Sequence, residues 1–195
     1  MSSAIKRCSC RQVLDVHGDH LLGCGNGNLR IRCHNALGEG IFHTLNNNAN
    51  CQMEQRCNGY SNSRPGDIYH LDFELGCPTY FDITVRNCFQ PHLVVRASNW
   101  PDLAAEAGEE AKDNLHQASV TAAGGIFHSI VVETFGLWSF HSLDVLKSVA
   151  RTSALHNHLT ASQPPHTSIN SCPSDFSFII LRWRLALKSS EDILG

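Results

Sequence analysis

Two close pairs of sulfur and nitrogen ligands near the start of the chain constrain it more than any other feature. Cys8-x-Cys10 is followed, nine residues later, by His20-x3-Cys24. Zinc takes thiolate and imidazole ligands in tetrahedral sets, and two close pairs joined by a short loop are a common way to build one. A stretch as short as residues 8–24 cannot bury a core of its own, so a bound metal would supply its folding free energy. The alternative is chance clustering of thiols in a cysteine-rich chain, and His17 is a second candidate for the imidazole. Cys33, Cys51, Cys57, Cys77, Cys88 and Cys172 show no matching pair spacing and read as small buried side chains.

Nine cysteines, an odd number, behind a start (MSSAIKRCSCRQ) without an apolar stretch fit reduced thiols or metal ligands better than a disulfide framework. The expected setting is nuclear or cytoplasmic, not secreted. No apolar run approaches the roughly 18 to 20 residues of a membrane span, so no membrane partner is expected. Hydrophobic residues make up 42% and charged residues 17% of 195, enough to pack one ordinary domain with a small appendage. A net charge of -3 excludes a globally basic nucleic-acid binder, although a local basic groove is compatible with it. Lys6, Arg7, Arg11, Arg30 and Arg32 supply such a cluster, opposed only by Asp15 and Asp19. They read either as phosphate contacts or as solvated surface.

The chain divides into a loop-rich module at 1–28, a mixed α/β domain at 29–161, and a loop with a C-terminal apolar segment at 162–195. Apolar spacing predicts a helix from Leu29 to Leu45, ended by the tract Asn46 to Asn50. Strands are expected at Ile68 to Phe73 and Tyr80 to Val85, joined as a hairpin through Gly76, Cys77 and Pro78. A helix capped by Asn99, with Pro101 early in it, runs to about Ala118. A strand from Ile126 to Thr134 ends at Gly136, and a second helix covers 142–159. A Pro/Ser-rich loop, Ser162 to Ser174, precedes the apolar stretch Phe176 to Leu187. The expected order is α, β, β, α, β, α.

Asp67, after Arg64-Pro65-Gly66, and Asp82, opening Asp82-Ile83-Thr84-Val85, fall at adjacent ends of the hairpin strands. Two carboxylates so placed can hold Mg²⁺, a hard cation that prefers oxygen ligands and orients a hydrolytic water. The alternative makes Asp67 a turn residue and Asp82 a polar strand start. Lys112 is the one cationic residue between Asp102 and Ala118, with Gly108 and Ala105 beside it on the helix face. It points into a site, where it stabilises developing charge, or it is a solvated partner of Glu109. Glu133 reads as a capped or paired structural glutamate, and His128, His141, His156 and His158 have no partner at interpretable spacing.

In order and spacing these pieces resemble the restriction-like endonuclease region of non-long-terminal-repeat retrotransposons, a branch of the PD-(D/E)XK nuclease superfamily, in which the region follows a reverse transcriptase and a zinc motif. The resemblance runs through Cys8-x-Cys10, Gly18-Asp19-His20, Cys24, Arg32, His34-Asn35, Arg64-Pro65-Gly66-Asp67, Asp82-Ile83-Thr84-Val85, Ala105 to Lys112 and Val131 to Gly136, about residues 8–140. It implies a three-layer α/β/α restriction-endonuclease-like fold behind a zinc knuckle. Asp67 and Asp82 become the metal-binding acids. The superfamily's lysine position, two beyond the second acid, holds Thr84 here, and related nucleases move that lysine to the following helix, which makes it Lys112. His34 and Asn35 are placed on a helix beside the site, with Glu39 a possible additional acid. Cys33 intrudes in the arginine-histidine-asparagine stretch, and Leu115-His116 stands where relatives carry a lysine-tyrosine pair.

The resulting expectation is a Mg²⁺-dependent DNA endonuclease with a structural Zn²⁺, nicking target DNA to leave a 3′ hydroxyl that primes reverse transcription. Element RNA is a further expected partner. The alternatives are a non-catalytic, zinc-containing nucleic-acid-binding module and an inactive retroelement remnant.

Overall fold

The computed structural model describes residues 7, 8, 10–14, 20, 24, 29–46, 50–54, 64–74, 76–90, 93–100, 102–134 and 136–161, without the side chains of Leu29, Val94 and 154–161. Lys6, His17, Asp15, Asp19, Cys57, Pro101, Cys172 and the Phe176–Leu187 segment lie outside them. Helix α1 (Leu29–Leu45) is followed by strands β1 (Cys51–Met53), β2 (Ile68–Glu74) and β3 (Cys77–Arg86). Helices α2 (Val94–Ala97) and α3 (Leu103–Ala122), strand β4 (Ile126–Glu133) and helix α4 (Phe140–Ala161) complete the order. The four strands form one mixed sheet, β1-β2-β3-β4. β1, β2 and β3 run as an antiparallel meander, and β4 lies parallel to β3. Parallel neighbours need a crossover connection, and α3 is that connection. No helix among the described residues is long and apolar enough to cross a membrane.

Alternation along β3 sorts its side chains between two unequal layers. Phe81, Ile83 and Val85 join Ile68, Ile130 and Val132 beneath α1 (Cys33, Leu37, Ile41, Leu45) and α4 (Val145, Leu146, Val149). Each fully buried large apolar side chain is worth roughly 1.5–3 kcal/mol, so this face carries most of the stability. The other face holds a smaller cluster of Tyr80, Val120 and Phe127, with Tyr69 against it. There α3 approaches the sheet through Ala104, Ala105 and Gly108, all buried. A Cβ on Gly108 would lie 2.8 Å from Val131 Cγ1 and 2.9 Å from Arg86 Nε. The absence of that atom is what lets the helix sit so close.

The free edge of β4 is covered by the chain's own return. Glu133 N–H donates to Leu137 O (2.7 Å) and Ser139 N–H to Val131 O (3.3 Å). Val131 N–H in turn donates to Ser142 Oγ (2.7 Å), and the hydroxyls of Ser139 and Ser142 both donate to Glu109 Oε1. Covering an edge in this way removes a template for unwanted strand pairing.

Several local expectations are corrected. β1 and α2 add to the expected order, and the hairpin turn is tighter than expected. Glu74 pairs with Cys77, so Cys77 and Pro78 belong to β3 and only Gly76 (φ 71°) remains in the turn. A register shift between His70 and Glu74 leaves Pro78, which has no N–H, without a ladder partner in β2. Asn99 does not cap α3; its side-chain amide donates to Val95 O. Asp102, in the left-handed region, makes no side-chain cap either. The cap comes from 29 residues away, where Glu133 Oε1 accepts the Ala104 N–H at 3.1 Å. Burial raises the Glu133 carboxyl above its usual range despite the backbone N–H groups of Ala104 and Ala105. Its role is thus structural.

Candidate metal centres

In the N-terminal module a tight turn does the positioning. Cys8 N–H donates to Gln12 O and Arg11 N–H to Cys8 O, Arg11 takes φ 70°, and Arg7 bridges to Val13. That turn folds Cys10 back beside Cys8. The ligand atoms of Cys8, Cys10, His20 and Cys24 all lie within 4.8 Å of one another. Cys8 Sγ and Cys24 Sγ are 3.6 Å apart, close to the roughly 3.75 Å edge of a tetrahedron with zinc–sulfur bonds of about 2.3 Å. Cys10 Sγ and His20 Nε2 are 3.0 Å apart, a hydrogen-bond spacing that opens by about 0.5 Å around such an ion. The Gln12 backbone lowers the Cys10 thiol, but burial and the neighbouring thiols of Cys24 and Cys8 raise it overall. Three thiols and an imidazole crowded in this way could hold a zinc ion, the first of the two sequence-derived constellations. Arg7, Arg11, Arg30 and Arg32 are exposed.

The second constellation depends on strand register. Asp67 directly precedes Ile68, which pairs with Phe81, so the antiparallel ladder sets Asp67 opposite Asp82. A Cβ on Gly66 would lie 2.7 Å from Phe81 O, so only glycine lets the segment before β2 lie against β3. Asp67 Oδ2 accepts the Ile83 N–H at 2.7 Å, and Oδ1 stands 3.5 Å from His34 Nε2 on α1. Asp82 Oδ2 accepts from Lys112 Nζ at 2.8 Å and from Thr84 Oγ1 at 3.3 Å. Lys112 lies one helical turn beyond Gly108, so the close approach of α3 delivers it to the sheet. It pairs with Asp82 and not with Glu109, whose carboxylate is taken by the two serines.

The two carboxyls are shifted in opposite directions. Burial alone would raise Asp67, but the His34 imidazole, the Ile83 N–H and Lys112 outweigh it and hold this carboxyl below its usual range. Asp82 is only 9% exposed, and burial raises it above the usual range although Lys112 opposes the shift. The hydrogen bond to Asp67 raises His34, with Asp82 adding to it. His116, one turn beyond Lys112, packs on the Phe127 ring at 5.6 Å. Its pKa is lowered, by burial first and by the Lys112 charge, with Asp82 opposing them. Its i+4 spacing from Lys112 sets it on the same face of α3.

Asp67, Asp82 and Lys112 are therefore brought to one place, with His34 beside them. Asn35 and Glu39 are not: both are exposed on α1, whose buried stripe is Cys33, Leu37 and Ile41. Cys33 and Cys51 are buried as expected of structural thiols, while Cys77 and Cys88 are partly buried. Comparison with protein-family models and with curated proteins gave no match.

Proposed function

We propose that residues 29–161 form a divalent-metal-dependent DNA endonuclease domain of the PD-(D/E)XK type, retrotransposon-derived, behind an N-terminal zinc knuckle. The observation that carries this reading is the pair Asp67 and Asp82, opposed on neighbouring strands, with the Lys112 ammonium 2.8 Å from one of them. A meander of three strands, a helical crossover and a parallel fourth strand, with helices on both faces, is in keeping with a restriction-endonuclease-like three-layer fold.

Asp67 and Asp82 would hold Mg²⁺, which when bound polarises a water and neutralises charge on a phosphodiester. Asp67 contributes an ionised carboxylate already fixed by the Ile83 N–H, with His34 orienting its second oxygen. Lys112 opposes the upward push of burial on the Asp82 carboxyl and stands where its ammonium can stabilise charge developing on the attacked phosphate. Exposed Arg30, one turn before His34, supplies a cation for the flanking backbone. The nick would leave a 3′ hydroxyl for reverse transcription, with DNA and element RNA as partners in the nucleus or cytoplasm.

One observation favours a second reading. Lys112 already neutralises Asp82, so the pair also suits a non-catalytic, zinc-containing nucleic-acid-binding module that retains the nuclease fold. Cleavage of supercoiled plasmid by zinc-loaded protein with Mg²⁺ or Mn²⁺ separates the two. The endonuclease reading expects nicking that is lost in Asp82→Ala and Lys112→Ala. Intact plasmid, together with DNA binding that survives Asp67→Ala and Asp82→Ala, establishes the second.

A further inference from the structure

The sheet face opposite Asp82 carries another group of ligand-type side chains. His128 pairs with Phe81 in the parallel ladder, as Ser129 does with Asp82, so its imidazole points away from the carboxylates. It stacks on the Phe81 ring at 5.7 Å. Both of its ring nitrogens are fully buried and neither has a hydrogen-bond partner. Leaving such a group unmatched is costly, on the order of 1–3 kcal/mol. His128 Nε2 lies 3.4 Å from Oε2 of Glu74, the last residue of β2. His141, in the first turn of α4, brings its ring centroid to 5.5 Å from that of His128.

These spacings match a metal site better than a hydrogen-bonded pair. An N–H···O bond spans about 2.7–3.2 Å, shorter than the gap observed. In a tetrahedral site with zinc–nitrogen and zinc–oxygen bonds of about 2.0–2.2 Å, neighbouring ligand atoms stand roughly 3.3–3.5 Å apart. Two imidazoles on the same ion then have ring centroids about 5.2 Å apart.

We propose that Glu74, His128 and His141 form a second divalent transition-metal site, of the zinc class, clamping the end of the β2–β3 hairpin, β4 and the first turn of α4. Among the described residues only the cysteine-histidine set brings three or more ligand atoms within 4.8 Å of one another. His141 is exposed, and its ring would have to turn toward Glu74 and His128 to complete the second set. Three protein ligands leave a fourth position for water.

Zinc titration of the full chain against a chromophoric chelator tests this, with excess Mg²⁺ present to keep Asp67 and Asp82 from taking zinc. Wild type is expected to bind two equivalents. His141→Gln and Glu74→Gln should each keep the first and weaken the second by at least the roughly 10- to 100-fold that loss of an outer-shell partner costs. Cobalt distinguishes the two equivalents, since only the cysteine set gives thiolate charge-transfer absorption. Circular dichroism checks that each variant is folded; His141 is exposed and Glu74 is partly so. A wild type that binds one equivalent, or a second equivalent undiminished in either variant, overturns the proposal. Plasmid cleavage does not enter this test, so its outcome is independent of the endonuclease reading.

Discussion

The cysteine-histidine module and the carboxylate site are assembled by opposite means. Cys8, Cys10, His20 and Cys24 lie within seventeen residues, and the turn from Cys8 to Gln12 sets the first pair. Asp67, Asp82, Lys112 and His34 come from four separate segments, and each is placed by a scaffold that is stable for other reasons. A locally gathered site needs its ion in order to persist. A site hung on a sheet keeps its geometry with or without one, because the ladder and the α1/α4 layer hold it.

The largest expected effect breaks that comparison directly. Structural zinc contributes about 10–16 kcal/mol of binding free energy in small modules, far more than the turn at Cys8–Gln12 can supply. Stripping zinc with a strong chelator, or replacing Cys24 by Ser, should abolish the native amide dispersion of Cys8, Cys10 and His20. The Ile83 amide, bonded to Asp67, should stay where it is. Heteronuclear NMR reads both at once. If the sheet amides collapse together with the module, the two regions are one cooperative unit and the contrast fails.

The same contrast explains what the sequence disclosed. Close pairs such as Cys8-x-Cys10 can be read from spacing alone, because the geometry they make is local. The bounds of α1 were equally legible, since a 3.6-residue apolar stripe runs into an asparagine tract. Asp67 and Asp82 were ambiguous as spacing and acquired meaning through order and resemblance; register, which a sequence does not display, puts them opposite each other. The α3 cap was misread for the same reason. Asn99 has the right chemistry next door, but Glu133 wins from a neighbouring strand. β1, with three residues behind an asparagine tract, and α2, with four, carry too little periodicity to be seen. The closeness of His34 to Asp67 is likewise a product of packing.

A second, smaller effect should disturb the carboxylate site and spare the module. Gly108→Val places atoms where Val131 Cγ1 and Arg86 Nε already stand. Overpacking of this kind costs about 1–3 kcal/mol, and the relief available is outward movement of α3. Lys112 travels with that helix and leaves Asp82 buried without its cation. Urea melts should show the lost stability, and any plasmid nicking should fall along with it. The cobalt charge-transfer band of the cysteine set should be unchanged. A variant of wild-type stability would mean that α3 is not held against the sheet by this contact.

The smallest effect sharpens the comparison at the level of a single proton. His34 titrates above its ordinary value because of Asp67, and Asp67 below its own despite burial. The histidine's share of stability is therefore full below about 6.5, its unfolded value, and fades as pH rises through the raised folded one. The carboxylate's share is full above about 3.9 and fades as pH falls through the lowered folded value. Between those limits the pair contributes most. Asp67→Asn keeps an acceptor for the Ile83 N–H and removes the charge. In zinc-loaded protein without Mg²⁺, the variant's stability deficit should therefore be larger at pH 6 than at pH 8. The His34 ring resonances should titrate at lower pH than in wild type, by an amount that Asp82 limits, since that carboxylate also favours the imidazolium. An unchanged His34 titration would mean that the 3.5 Å contact carries no charge coupling, and that α1 packs beside the carboxylates without acting on them.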